Sequence, residues 1–246
     1  MWAILCDIED ESALALAVLL EKSGRDLTVL CPEHLVGATH IHRIGADGAS
    51  ASVRLRDGTV LDLAAMSLLV NRFRAVPETH LARCAPEERD YVRSEWTALL
   101  ASLLACCGGP VLNPPCSDAP GGYPPGEIES LHYAALCGLP VAPRRITEDS
   151  EFWAAAEPVP LSSHLVVGDA VLPDLPAALA DGARRLARVL GLPLMQIDFA
   201  ADADGAAQFD GCSGDVEFRH APGPALVEAL RRIAAADSAA TEEMPS

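Results

Sequence analysis

The sequence predicts an α/β fold, and three observations carry that prediction. Apolar runs of strand length alternate with capped, amphipathic helical stretches. The first 31 residues spell a strand, a helix and a second strand. Alanine, valine and leucine make up much of the apolar content and aromatics only 4%, a composition suited to helices packed on a sheet.

The opening WAILCDI reads as a buried strand. EDESALALAVLLEKSG follows as a helix, with acids at its start, Leu16, Leu19 and Leu20 at helical spacing and Gly24 at its end. LTVLC, residues 27–31, is the next strand, and a strand–helix–strand unit this short implies a right-handed crossover between parallel neighbours. SASVRLRDGTVLDL alternates on either side of Asp57-Gly58, a hairpin signal. SLLVNRF returns to a buried strand, residues 86–109 form a helix entered at Pro86 and stopped by two glycines, and PVLNPP is a short strand ended by prolines.

CSDAPGGYPPG, residues 116–126, is a loop by composition and marks a boundary. Beyond it the sequence predicts a helix over 127–138, a strand over 141–147, an irregular stretch over 148–164, and a hairpin about Gly168-Asp169. An amphipathic helix over 175–193, a second hairpin formed by LMQIDFA and AAQFDG, and a closing helix over 224–236 complete the pattern. The expected division is 1–117, 118–236 and a flexible polar tail at 237–246.

No apolar run reaches the roughly 18 residues of a membrane span, and the acidic start does not resemble an export signal. A cytoplasmic protein with no membrane partner is expected. The net charge of -17 repels phosphate backbones and argues against nucleic acid. None of the eight cysteines forms a Cys-x-x-Cys pair, so reduced, buried thiols are expected. A homodimer is compatible with the composition.

The stretch VNRFRAVPETHLARCAPEERDYVRSEWTALLASLLACCGGPVLNPP resembles the pre-ATP-grasp domain of the ATP-grasp ligases that mature ribosomal peptides, the microviridin and graspetide type. The resemblance rests on Asn71 to Arg74 at a strand end, Glu95-Trp96 on an acidic helix, and Asn113-Pro114-Pro115 closing a strand. EIESLHYAALCGLPVAPRRITED resembles the entry into the ATP-grasp fold, and LARVLGLPLMQIDFAADADG the helix and hairpin that bring in magnesium carboxylates. The resemblance implies a Rossmann-like pre-ATP-grasp domain over 1–117 and a shortened α+β ATP-grasp remnant over 118–236.

The departures from that pattern decide the functional expectation. Between the strand at 141–147 and the Val166-Val167-Gly168-Asp169 turn, the family carries a nucleotide-binding subdomain with lysines. Here the interval is EDSEFWAAAEPVPLSSH, and Lys22 is the only lysine in the chain. A triphosphate needs cations and backbone donors close by. The expectation is therefore a pseudoenzyme with no cofactor, binding a peptide, carrier or protein partner in a peptide or natural-product modification pathway. The alternative is an active ATP- and magnesium-dependent carboxylate–amine ligase.

Asp198 and Asp210 are the candidate metal residues, as a degenerate magnesium pair. A two-residue turn at Asp204-Gly205 would put them on opposite faces of the hairpin, whereas a three-residue loop, Ala203-Asp204-Gly205, sets Asp198 opposite Asp210. The resemblance implies Glu-x-Asn on the second strand, and Asp210-Gly211-Cys212 stands there. Magnesium wants about six oxygens, and a thiol is a poor substitute. The other reading of the two acids is a solvated hairpin edge. Cys212, between glycines, reads as an exposed thiol without a nearby base.

Arg72 and Arg74 alternate about Phe73 at a strand end, so both can face a crevice at the carboxyl edge of a sheet and clamp a partner's carboxylate. The competing reading pairs them with Glu78 or Glu95. Asn113 joins them as a candidate partner-binding residue. His40 and His42 share one face of an extended segment and read as a solvent-facing pair, two ligands being too few for a metal site.

Overall fold

The computed structural model describes residues 1–242 apart from 47, 77, 117–118, 123–124, 143–158 and 203. The chain divides into two compact units, Met1–Tyr123 with Gly223–Ser246, and Pro124–Pro222.

In the first unit, β1 (Trp2–Cys6) is buried at every residue. It leads into α1 (Glu11–Lys22), whose first turn is capped by the Asp10 carboxylate accepting the Ala13 N–H at 3.0 Å. Ala13, Leu16, Ala17 and Leu20 form its buried face. β2 (Leu27–Leu30) pairs parallel with β1, and the short α2 (Pro32–Val36) follows with proline in its first turn.

β3 (Thr39–Gly45), β4 (Gly48–Arg54) and β5 (Val60–Asp62) form a separate antiparallel meander. β6 (Leu68–Arg72) joins the other edge of β1 in parallel. After α3 (Glu78–Leu81) and a 3-10 turn at Pro86–Glu88 comes α4 (Arg89–Leu104), then β7 (Val111–Leu112), which completes a parallel sheet of order β2-β1-β6-β7. Leu5, Leu69, Phe73, Val53, Leu100 and Leu103 share one apolar core. Full burial of such a side chain contributes roughly 1.5–3 kcal/mol.

The second unit begins with α5 (Glu127–Leu136). β8 (Val159–Val167) and β9 (Ala170–Leu172) turn about Gly168-Asp169 as the sequence predicts. α6 (Ala177–Leu190), β10 (Leu194–Ala201) and β11 (Ala207–Ser213) complete an antiparallel sheet of order β11-β10-β8-β9. One face of that sheet, carrying Met195, Ile197, Phe199 and Phe209, packs with Ala183, Leu186 and Leu190 of α6. Gly182 permits a close approach of α6 to Leu139: a Cβ there would stand 2.6 Å from the leucine Cδ2.

α7 (Gly223–Glu242) closes the described chain and groups with the first unit, although the expected second region ran on to residue 236. Its Leu226 and Leu230 are fully buried. The expected polar tail at 237–246 is helical as far as Glu242, in keeping with the helix propensity of Ala239, Ala240 and Glu242. β8 begins at Val159, inside the stretch expected to be irregular, because pairing with Ala200 and Ala201 overrides the two prolines nearby. Val141 bridges Phe209, while 143–147 of the expected strand, with Arg144 and Arg145, and 148–158 of the interval lie outside the described residues. Among the described residues no helix is long and apolar enough to cross a membrane.

Candidate functional site

The hairpin of β10 and β11 closes as a three-residue loop. Asp202 N–H donates to the Ala206 carbonyl at 2.9 Å, Ala201 pairs with Ala207, and Gly205 has φ of 81°. Left-handed backbone favours glycine. Gly205→Ala is therefore expected to cost about 1–2 kcal/mol through backbone strain, since the added methyl has open space. Urea unfolding of the variant checks this.

The expected pairing nevertheless fails further along. Phe199 lies opposite Phe209, but the ladder then slips and Asp198 lies opposite Gly211. Asp210 is the extra residue of a β-bulge. This corrects the expectation that the loop alone sets Asp198 against Asp210. Phe209 and Cys212 both pack on the α6 side of the sheet, and their spacing of three, where a regular strand would have two or four, is the trace of the bulge in the sequence.

Asp198 lies on the other face, where its carboxylate accepts the Gln196 amide at 3.1 and 3.3 Å. Gln196 in turn accepts the Glu217 N–H at 3.0 Å, so the carboxylate belongs to a hydrogen-bonded chain. Cys212 is not the exposed thiol expected. It sits in β11 opposite Ile197, and burial, helped by the charge of Asp198, pushes its thiol up to about 12. His164, opposite Ile197 on β8, is a buried histidine with both ring nitrogens engaged, by the Pro173 carbonyl at 2.8 Å and Ser162 Oγ at 2.9 Å.

The other candidates lie in the first unit. Arg72, at the carboxyl end of β6, is buried and grips Asp10: Nε donates to Oδ2 at 2.7 Å and Nη2 to Oδ1 at 3.0 Å. The partner in this pair is Asp10 where Glu78 or Glu95 was expected, and Arg72 is sequestered in place of facing an open crevice. The pairing follows from topology, because β1 and β6 are neighbours and the turn after β1 delivers Asp10 to the end of β6.

Arg74 is exposed; burial raises the Asp7 carboxyl, opposed by the Arg74 charge, and at Asp10 burial is outweighed by the hydrogen bonds from Arg72 and the Ala13 N–H, to which the charges of Arg72 and Arg74 add. Asn113 is fully buried in left-handed backbone, φ 55°. Its carbonyl accepts the Asn71 amide at 2.8 Å. Asn71 also donates to the Pro120 carbonyl at 2.8 Å and accepts the Phe73 N–H at 3.2 Å. Sequence reasoning missed both Asp10 and Asn71 as working residues, although a polar side chain inside an apolar strand run was the available signal for Asn71.

His40 and His42 face α4 and are not the solvent-facing pair expected. The His40 ring stands edge-on to Trp96 at 5.9 Å, as does His80 at 5.5 Å, and His42 Nδ1 lies 3.4 Å from Ser102 Oγ. Among the described residues no three histidine, cysteine, aspartate or glutamate side chains are grouped to share a metal ion.

Comparison with known proteins now bears on this arrangement. The sequence matches no family model and no curated protein. The ligase PsnB, solved with the precursor peptide PsnA2 and AMPPNP, superposes with a TM-score of 0.70 at 17% identity, covering 94% of this chain and 97% of that one. The chain has the fold of the ATP-grasp ligases of ribosomal peptides. A Chryseobacterium gregarium RiPP-associated ATP-grasp ligase, solved with ADP and leader and core peptide, matches with a TM-score of 0.63 at 12% identity, covering 100% of this chain and 98% of that one. The macrocyclase MdnB of Microcystis aeruginosa MRC matches at 0.58 and 15%, over 94% and 92% of the two chains.

An ATP-grasp fold raises the question of magnesium and polyphosphate, and among the described residues no three histidine, cysteine, aspartate or glutamate side chains group at the hairpin to hold the metal. Magnesium takes about six oxygens. On its strands the hairpin offers one carboxylate bound by an amide, a second on a bulge, and a thiol pushed up by burial, while Asp202 at the loop is taken up by the Asp204 and Ala206 N–H groups. The four described arginines of the second unit are each engaged by protein oxygens: Arg184 by Asp169 and Asp181, Arg185 by the Cys137 carbonyl, Arg188 by Asp169, and Arg219 by Glu217.

Proposed function

We propose that this chain is a non-catalytic ATP-grasp-like protein, with a Rossmann-like pre-ATP-grasp domain and a shortened grasp, that binds a peptide, carrier or protein partner in a cytoplasmic peptide-modification pathway. The observation that carries the proposal is the bulge at Asp210. It turns the position facing Asp198 over to a glycine, and it does so in a chain with a single lysine, Lys22. The pathway context rests on the likeness to ligases solved with their precursor peptides. Arg74, exposed at the carboxyl edge of the parallel sheet, is the residue proposed to meet a partner's carboxylate, with Arg72 and Asn113 holding the backbone around it.

Calorimetric titration with ATP and magnesium tests this reading. The expected result is no saturable heat up to about 1 mM nucleotide, an affinity weaker than about -4 kcal/mol. Micromolar, magnesium-dependent binding would overturn the proposal and restore the ligase alternative, in which Asp198→Asn must abolish nucleotide-dependent coupling of a carboxylate to an amine.

A further inference from the structure

Cys6 and Cys31 stand side by side at the carboxyl end of the parallel sheet. The last register pair of β1 and β2 is Leu5 with Leu30, and Cys6 and Cys31 are the next residue on each strand. Cys31 is still extended, with φ of -99° and ψ of 153°. In-register neighbours on adjacent strands lie roughly 4.8 Å apart, inside the roughly 4.4–6.8 Å between Cα atoms that a disulfide spans. Parallel register also points the two side chains to the same face, opposite the one on which Leu5 and Leu30 join the core. Both thiols are free and buried.

We propose that Cys6 and Cys31 form a reversible disulfide when the protein meets a disulfide oxidant of the glutathione class. Cys31, at the rim with 9% exposure against 0% for Cys6, attacks one sulfur of oxidised glutathione and releases one glutathione thiolate. The Cys6 thiolate then attacks the Cys31 sulfur of the mixed disulfide and expels the second. Two protein thiols and one glutathione disulfide become one protein disulfide and two glutathione thiols, the protons lost by Cys31 and Cys6 being taken up by the two released thiolates.

The surroundings set the pace of this exchange. Burial, followed by the charges of Cys31, Asp10 and Asp7 and countered by Arg72, pushes the Cys6 thiol up to about 12. Burial, Glu33 and Asp7 raise Cys31. The reactive thiolate is therefore scarce at neutral pH. Because Cys31 caps α2, its carbonyl accepting the His34 N–H at 2.9 Å and its own N–H donating to His34 Nδ1 at 3.2 Å, the bond would tie the end of β1 to the start of α2, beside the Asp10–Arg72 pair.

The proposal is independent of nucleotide binding and is tested on the full chain. The protein is incubated with oxidised glutathione, alkylated, and cut with trypsin without reduction. Cleavage after Lys22, Arg25 and Arg43 leaves residues 1–22 and 26–43, each with one cysteine. The expected product is the linked pair of these peptides, lost on treatment with dithiothreitol and absent from both Cys31→Ser and Cys6→Ala. Its rate of formation should rise about tenfold per pH unit between roughly pH 7 and 8.5, following the thiolate fraction. Peptides 1–22 and 26–43 left unlinked, whether alkylated or capped by glutathione, or joined instead to other cysteine peptides, would overturn it.

Discussion

Arg72→Met is expected to destabilise the protein by about 3–5 kcal/mol, because it leaves the Asp10 carboxylate buried without its cation. The two side chains are 2% and 1% exposed, so water cannot take over the lost hydrogen bonds. Asp10→Ala should cost a similar amount, to which loss of the α1 cap adds about 1 kcal/mol. Replacing both partners together, Asp10→Leu with Arg72→Met, should recover much of the loss, since no charge is then left buried.

The pH dependence separates this cause from simple loss of packing. In the folded protein burial pushes the Asp10 carboxyl up, but hydrogen bonds from Arg72 and the Ala13 N–H, with the charges of Arg72 and Arg74, more than offset it, and the carboxyl lies below its ordinary value. A depressed carboxyl contributes stability that is complete above its unfolded pKa of about 4 and is lost as pH falls toward the folded value. Asp7 has the opposite sign: burial raises its carboxyl, so its unfavourable ionisation in the fold is relieved on acidification. In Arg72→Met, Asp10 should behave as Asp7 does. The deficit of the variant, measured by urea unfolding, should therefore shrink between pH 7 and about pH 4. A deficit of equal size at both pH values would show that the charge is not its cause.

The elements that packed locally were readable from the sequence, and the features that depend on a distant strand were not. β1, α1 and β2 declare themselves through apolar spacing and the acidic start of α1, and the β4–β5 turn through Asp57-Gly58. The separate sheet was missed because β3, with His40 and His42 inward against α4, lacks the apolar face that marks a strand. α2 is only five residues long, too short for helical periodicity to show. In the candidate site the loop at Gly205 was legible from its chemistry, whereas the bulge at Asp210 becomes visible only once Phe209 and Cys212 are known to face the same helix. Arg72 and Asp10 are 62 residues apart, and only the placement of β6 beside β1 makes them partners.

That lesson leads to a second large effect, at Asn71. Asn71→Leu is expected to cost about 3–5 kcal/mol. The substitution strips the Asn113 and Pro120 carbonyls of their shared donor and the Phe73 N–H of its acceptor. Each buried backbone group left unsatisfied costs about 1–3 kcal/mol, and the gain from burying the leucine, up to about 3 kcal/mol, offsets only part. Asn71→Asp is the sharper probe. It keeps an acceptor for Phe73 but turns a carboxylate oxygen, which cannot donate while ionised, toward two carbonyls. Its deficit at pH 7 should exceed that of the leucine variant and should ease on acidification, when protonation restores one donor. If Asn71→Leu costs less than about 1 kcal/mol, the two carbonyls have found other partners and Asn71 is not the post that holds them. If the full cost appears, the physical sense of the Asn71 and Asn113-Pro114-Pro115 pattern follows. The first asparagine fastens the left-handed backbone of the second, and the proline-rich loop behind it, onto the end of the parallel sheet. The pattern then marks a structural joint beside Arg74, and the partner-binding role falls to the arginine.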